Sequence, residues 1–236
     1  MNPHAAGQRG GSSLSHAGGR SEGPLRLVML GAPGAGKGTQ AERLARERGL
    51  PRVSTGDIFR QAAVAKTDAG SAIKATIDAG RLVNDDVVIG IVRDRLTQPD
   101  AAQGFVLDGF PRTLTQAESL EEWLDHRAPL VVVDIEVPEE TLVKRLSTRR
   151  ICSVCGTTAM PTATACAKCG GKLVQRTDDD VDVIRERLRV YARDTRAIVE
   201  FYRRRSTFRS VDGDQSQDLV AADIAAAIAS VAVRPR

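Results

Sequence analysis

Apolar positions follow two rhythms along this chain. Short runs such as Leu25–Leu30, Gly104–Leu107 and Leu130–Val137 are nearly continuous in large aliphatics, the pattern of strands buried on both faces. Between them, apolar residues recur at helical spacing. Thr39 to Arg48 reads as a helix with Leu44 and its alanines facing inward, ended by Gly49 and Pro51. Val53 to Asp57 reads as a short strand breaking into a turn, and Ile58 to Ala79 as small helical segments closed by Gly80. Asn84 caps a helix whose apolar positions are Val87, Val88, Ile91, Val92 and Leu96. Thr113 to Arg127, Pro138 to Arg150, a long charged stretch from about Asp179 to Arg205, and an alanine-rich segment to Val233 complete the helices. Thr207 to Asp212 is the last strand.

Five strands alternating with helices predict an α/β fold with a parallel five-stranded sheet covered by helices on both faces. Two inserts break the rhythm. One is the helical stretch at 54–83; the other, at 149–178, carries every cysteine of the chain. The core is then 25–53, 84–148 and 179–236, and inserts after strands belong at the carboxyl ends of a parallel sheet, where ligands bind. Residues 1–24 are rich in Gly, Ser and Ala, and read as a flexible tail.

Composition narrows the chemistry. The 236 residues carry a net charge of +4 and only 3% aromatics, which suits an anionic partner but gives few stacking platforms for single-stranded nucleic acid. His4 and His16 lie in the tail, leaving only His126 for the folded part, so histidine-based catalysis is disfavoured. No stretch is apolar for the roughly 20 residues of a spanning helix, and no secretory signal opens the chain. The expectation is a cytoplasmic chain with no membrane partner.

The first chemical motif is GAPGAGKGTQ at 31–40, between an apolar strand and a helix. Gly31, Gly34 and Gly36 let backbone N–H groups surround a polyphosphate, and the helix N-terminus adds its positive dipole end. Lys37 supplies a full charge for the β- and γ-phosphates. Gly38 stands where the usual motif has a hydroxyl, with Thr39 one later. The second motif is C-x2-C-x10-C-x2-C, formed by Cys152, Cys155, Cys166 and Cys169, with Gly156 and Gly170 after the pairs. Four thiolates in two knuckles point to a closed structural zinc site. Disulfides and a rubredoxin-like iron site are the alternatives.

With STGD at 54–57, LDGFPRT at 107–113, RTDDD at 176–180 and VDG at 211–213, these motifs resemble the adenylate kinases, bacterial type with a zinc-binding lid. The resemblance runs from Leu25 to the C-terminus. It implies a P-loop NTPase-type core, a nucleoside-monophosphate insert at 54–83, a lid at 149–178, and reversible phosphoryl transfer from MgATP to AMP giving two ADP, by a monomer. It implies that Lys37, Arg112, Arg149, Arg176 and Arg187 are catalytic. ATP falls to Gly34, Ala35, Gly36, Lys37, Gly38, Thr39, Arg145, Arg149, Thr158 and Gln215. AMP falls to Thr55, Arg60, Arg81, Leu82, Val83, Gly109, Phe110, Pro111, Arg112 and Gln116, with Arg176 and Arg187 bridging toward it. Asp57 and Asp108 are the candidates for holding Mg2+ through water. Arg176 and Arg187, eleven residues apart, share a face if the segment is helical throughout. The lid departs from the family pattern in its short x10 spacer and in Ala159, where an aromatic often stands. Two other readings stay open: a kinase for another nucleoside monophosphate, against which Thr55 and Gln116 argue, and a P-loop zinc-ribbon nucleic-acid-binding protein.

Overall fold

Along the chain run β1 (Leu25–Gly31), α1 (Lys37–Arg48), β2 (Arg52–Ser54), α2 (Thr55–Val64), α3 (Asp68–Asp78) and α4 (Asp85–Leu96). Then come β3 (Gly104–Asp108), α5 (Leu114–Trp123), β4 (Leu130–Glu136), α6 (Glu139–Ser147), β5 (Ile151–Cys152) and β6 (Leu173–Val174). The chain continues with α7 (Val181–Val190), α8 (Arg196–Arg203), β7 (Phe208–Asp212) and α9 (Gln217–Ala232). This computed structural model describes residues 24–64, 67–124, 128–160 and 162–232. Almost all of the tail expected over 1–24, and His126, lie outside the described residues.

The main sheet has the order β2-β3-β1-β4-β7, and all its pairings are parallel. Each strand serves two cores because side chains alternate across a sheet. Leu27, Met29, Val106, Val131, Val133 and Ile135 face α1 and α9, where Ala41, Leu44, Val220, Ile224 and Ile228 meet them. Val28, Leu30, Phe105, Leu107 and Val132 face the opposite layer, packed with Val88, Val92, Leu120, Ile198 and Tyr202. Double burial explains why these strands read as unbroken apolar runs. The register aligns Met29 with Asp108, Ser54 with Asp108, and Leu30 with Asp134, so glycine loop and acids emerge together at the carboxyl ends.

Several boundaries differ from expectation. α1 begins at Lys37 with Gly36 as its cap, and α2 begins at Thr55, so STGD opens a helix rather than a turn. α5 reaches only Trp123 and α6 only Ser147. On α4, Val88 and Val92 are buried, whereas Val87, expected inward, is 45% exposed. Asn84 does cap α4, accepting the Asp86 N–H at 2.9 Å. The long helix begins at Val181, so Arg176 lies before it and shares no helical face with Arg187. Between α7 and α8, Tyr191–Thr195 forms a π-helical turn, with the Arg196 N–H bonded to the Tyr191 carbonyl. One extra residue shifts the helix phase by about 100°. Ile184 and Val190 before it, and Ile198, Val199 and Tyr202 after it, all stay buried.

The cysteine segment adds a two-stranded antiparallel ladder, β5 with β6. Its interior among the described residues is Cys152, Cys166 and Leu173, with Ala159 and Ala163 against them. Val154 and Met160 are exposed.

The α4 assignment separates neighbouring valines. Val92→Ala should cost about 2 kcal/mol of stability, as a fully buried Val is lost. Val87→Ala should stay within about 0.5 kcal/mol. Urea denaturation of the pair checks this; equal losses would contradict the described face.

Candidate active site

The glycine loop is shaped by backbone conformations that side chains rarely adopt. Gly31, Gly34 and Gly36 have φ of 135°, 90° and 99°. A Cβ on Gly31 would stand 2.7 Å from the Ile135 carbonyl oxygen. Lys37 folds back over the loop, its Nζ donating to the Gly31 and Ala32 carbonyls at 2.6 and 2.9 Å. Burial, with the neighbouring Arg112 and Arg187 charges and against the pull of Asp108, brings its pKa down to about 8.

Beside the loop lies a cleft between the core and the 54–83 insert. Lys37, Thr55, Arg60, Arg81, Leu82, Val83, Gly109, Pro111, Arg112, Gln116 and Arg187 all line it. Pro33, Phe59, Asp178, Tyr191 and Thr195 line it too, and sequence reasoning did not assign them. Phe110 is an exception among the expected site residues: its ring is fully buried and stacks on Trp123 at 6.3 Å, leaving only its backbone near the cleft.

Arg112 is held on every side except its guanidinium tip. Its N–H donates to Gln116 Oε1 at 2.8 Å, its carbonyl accepts from Thr195 Oγ1 at 3.1 Å, and its Nε donates to the Gly109 carbonyl at 2.8 Å. Thr55 Oγ1 donates to that same Gly109 carbonyl at 2.7 Å. Gly109, at φ 80°, has no room for a Cβ, which would sit 2.8 Å from Arg112 Nη2. Gln116 is itself fixed, donating from Nε2 to Asp85 at 2.7 Å, with Thr113 on the other Asp85 oxygen. Its amide keeps one N–H and one lone pair for a ligand.

Among the described residues neither Arg112 nor Arg176 has a carboxylate partner, and the buried Nε of Arg176 has no partner at all. Burial and the nearby Arg187 bring Arg112 down to about 10; burial with Arg149 and Arg60 does the same to Arg176. Arg187 is lowered by burial, although its Nη1 contacts Asp178 and Asp179, each at 3.1 Å. Arg149 makes a two-point pair with Asp179, its Nε donating at 2.7 Å. These two acids, inside the RTDDD motif, hold the arginines in place. Arg176 and Arg187 thus meet in one electrostatic cluster by a route other than a shared helix.

Apart from Lys37, the expected ATP-side residues lie outside the cleft's lining. Arg145 donates to the Gly213 carbonyl at 2.9 Å. The Gln215 side-chain Nε2 donates to the Asp212 carbonyl and to Asp223, which leaves its amide oxygen and its backbone for a ligand. Thr158 is exposed, bridged to Ile151. Asp134, at the end of β4, was also missed: its buried Oδ1 lacks a partner, and burial with the Glu136 charge pushes its pKa up to about 6.

In the lid the four cysteine sulfurs lie within 4.8 Å of one another. Cys152–Cys169, Cys155–Cys169 and Cys155–Cys166 are separated by 3.4, 3.5 and 3.6 Å. Disulfide sulfurs are about 2.05 Å apart, so these are free thiols. Four thiolates about 2.3 Å from a tetrahedral zinc lie roughly 3.8 Å apart, and the observed spacing fits. Gly156 and Gly170 close the knuckles at φ 70° and 72°.

The family model described as "Adenylate kinase" matches residues 29–207. Among curated relatives, the adenylate kinase of Archaeoglobus fulgidus is 45% identical over 215 residues, 88% of this chain and 99% of its own length. That of Moorella thermoacetica is 46% identical, covering 81% of this chain and 92% of its own. That of Nitrosococcus oceani is 45% identical, with 85% and 96% covered.

The burial of Lys37 has a pH signature. Below pH 8 both folded and unfolded chains hold the proton, and the folded state bears the cost of the buried charge. From about 8 to the ordinary 10.5 the folded chain loses the proton first, and that cost fades. Wild type should therefore gain stability relative to Lys37→Met as pH rises through this window, by at most roughly 1.4 kcal/mol per pH unit. Urea denaturation of both proteins near neutral and alkaline pH checks this; a constant difference would contradict it.

Proposed function

The chain belongs to the adenylate kinase family, and from that premise we propose how its residues divide the work of reversible phosphoryl transfer from MgATP to AMP, giving two ADP. One observation carries the division. Arg112 is a buried guanidinium fixed at N–H, carbonyl and Nε, with its tip facing a cleft and no carboxylate against it among the described residues. A dianionic phosphate answers that charge with paired hydrogen bonds.

AMP lies in this cleft. Arg112 and Arg60 take its phosphate; Thr55, Arg81, Leu82, Val83, Gly109, Pro111 and the Phe110 backbone enclose it. The spare N–H and lone pair of Gln116 meet the adenine edge. ATP phosphates lie in the loop, on the backbone N–H groups from Gly34 to Thr39 and on Lys37. Arg145 and Arg149 attend the ATP side, with Thr158 and the Gln215 backbone at its base. Arg187, whose Nη2 and Nε have no protein partner among the described residues, and Arg176 reach the transferred group. Transfer passes through a loose, highly charged transition state, so catalysis is alignment and charge stabilisation rather than proton chemistry. The scarcity of histidine is consistent with that.

Asp57 and Asp108 offer hard oxygen donors toward a single point beside the loop, where one guanidinium, Arg52, reaches both. That donor set fits a hydrated Mg2+, which when bound screens the β- and γ-phosphates. Zinc in the four-cysteine site leaves no open coordination position, so its role is structural. The insert at 54–83 and the lid at 149–178 close over the two nucleotides and exclude water. We read the enzyme as a cytoplasmic monomer acting on small molecules, supported by one chain carrying both nucleotide subsites. Among the described residues no helix is long and apolar enough to cross a membrane.

A coupled assay of ATP with AMP, CMP, UMP and GMP should show AMP strongly preferred. Arg112→Ala should lower kcat/KM for AMP by about 10²–10³, and Arg112→Lys should not restore it. Equal constants for CMP and AMP, or an unimpaired Arg112→Ala, would overturn the assignment.

The lid interior is too small to hold itself together, so metal ligation should supply much of its folding free energy. The expected content is one zinc per chain. Chelation, or Cys152→Ser with Cys155→Ser, should lower the melting temperature while leaving reduced activity at low temperature. Metal-free protein that melts unchanged but is wholly inactive would refute a structural role.

A further inference from the structure

Arg52 opens the three-residue strand β2, and its guanidinium spans two acids. Nη2 lies 2.6 Å from Asp108 Oδ2, and Nη1 lies 2.9 Å from Asp57 Oδ2. These are the carboxylates read above as holding hydrated Mg2+, and the inference rests on that reading. The arrangement presses on the phosphate loop itself. A Cβ at Gly38 would stand 3.3 Å from both Arg52 Nη2 and Asp108 Oδ2, so the missing side chain at Gly38 leaves the space this pair fills. Only 23% of the Arg52 side chain and 11% of the Asp108 side chain is exposed, so solvent screens the contact weakly. The two acids are not equivalent. Asp57 also pairs with Arg60, whereas Asp108 has Arg52 as its sole hydrogen-bonded partner among the described residues.

A guanidinium and a hydrated dication answer the same need, positive charge between two carboxylates. They cannot both satisfy it in full. We propose that Arg52 is a built-in competitor of Mg2+ for the Asp57–Asp108 pair, and so sets how strongly the enzyme prefers magnesium-bound over metal-free ATP. With Arg52 present, the carboxylates are neutralised before any metal arrives. Metal-free ATP then meets less repulsion, and the metal complex gains less from the acids. Without it, the bare acids repel ATP and attract its metal complex, and the preference widens from both sides.

The test is the ratio of the ATP dissociation constant in EDTA to that in excess Mg2+, by calorimetry at fixed pH and ionic strength. Arg52→Gln should raise the ratio about tenfold, equivalent to about 1.4 kcal/mol of altered coupling. Arg52→Met is a second neutral variant should the first fail to fold by circular dichroism. Arg52→Lys keeps the charge and should stay within about threefold of wild type. Asp108→Asn tests the underlying reading separately and should lower the ratio. If Asp108→Asn leaves it unchanged, the magnesium reading fails and the inference with it. If Asp108→Asn lowers it but the neutral Arg52 variants do not raise it, or Lys raises it as much as Gln, the competition alone is overturned.

Discussion

Several positive charges must be held out of water in and beside one cleft, and much of the structure answers that constraint. Lys37, Arg112, Arg176 and Arg187 are all pushed below their ordinary values by burial, with neighbouring cations adding to it. The chain relieves part of this repulsion with its own acids. Asp178 and Asp179 hold Arg149 and Arg187; Asp57 holds Arg60. It leaves Arg112 and Arg176 without a carboxylate among the described residues. A cleft arranged this way is energetically incomplete until an anion with many oxygens enters it. On the division of roles proposed above, the unfavourable field of the free protein becomes the favourable field of the charged transition state, already oriented before reaction.

Such a field is useful only if its sources do not relax. The parallel sheet provides the fixed base, since its register sets Asp108 level with Met29 and Asp134 level with Leu30, just before Gly31, at the carboxyl ends of the strands. The second level of fixation is backbone hydrogen bonding. Arg112 is anchored from α5 through Gln116, from the turn at Gly109, and from the π-helical turn through Thr195. That turn brings Tyr191 and Thr195 to the cleft while the helices on both sides keep their apolar faces buried. The irregular element therefore reconciles packing with the site, instead of sacrificing one for the other.

What was legible in the sequence was local. Buried strands announce themselves as apolar runs, and the glycine loop, the capped α4 and the cysteine knuckles are short-range patterns. The partners of the cations were not legible, because Asp179 meets Arg149 across thirty residues of lid. RTDDD was visible as a motif, but nothing in spacing alone says that its acids orient arginines. A shared helical face for Arg176 and Arg187 depended on a continuous helix, and the segment before Val181 is not part of one. Val87 and Phe110 show the same limit at single positions. Both have apolar side chains near the right place, yet one points to solvent and the other into the core.

The lid separates cohesion from attachment in a way that follows from size. Among the described residues its apolar interior is Cys152, Cys166 and Leu173, too few to offset the ordering entropy of the segment. Ligation by four thiolates is independent of apolar area, so the proposed metal keeps the lid rigid at any distance from the core. Its attachments are of another kind. The two-point Arg149–Asp179 pair sits at its base, and Met160 touches Gln217 on α9. Ionic and polar contacts of this sort exchange readily for phosphate oxygens, whereas a large apolar interface would not. A body stiff within itself and held to the core by exchangeable contacts can close over a nucleotide and release it with little internal rearrangement. A metal with no open coordination site suits that division better than a larger hydrophobic core.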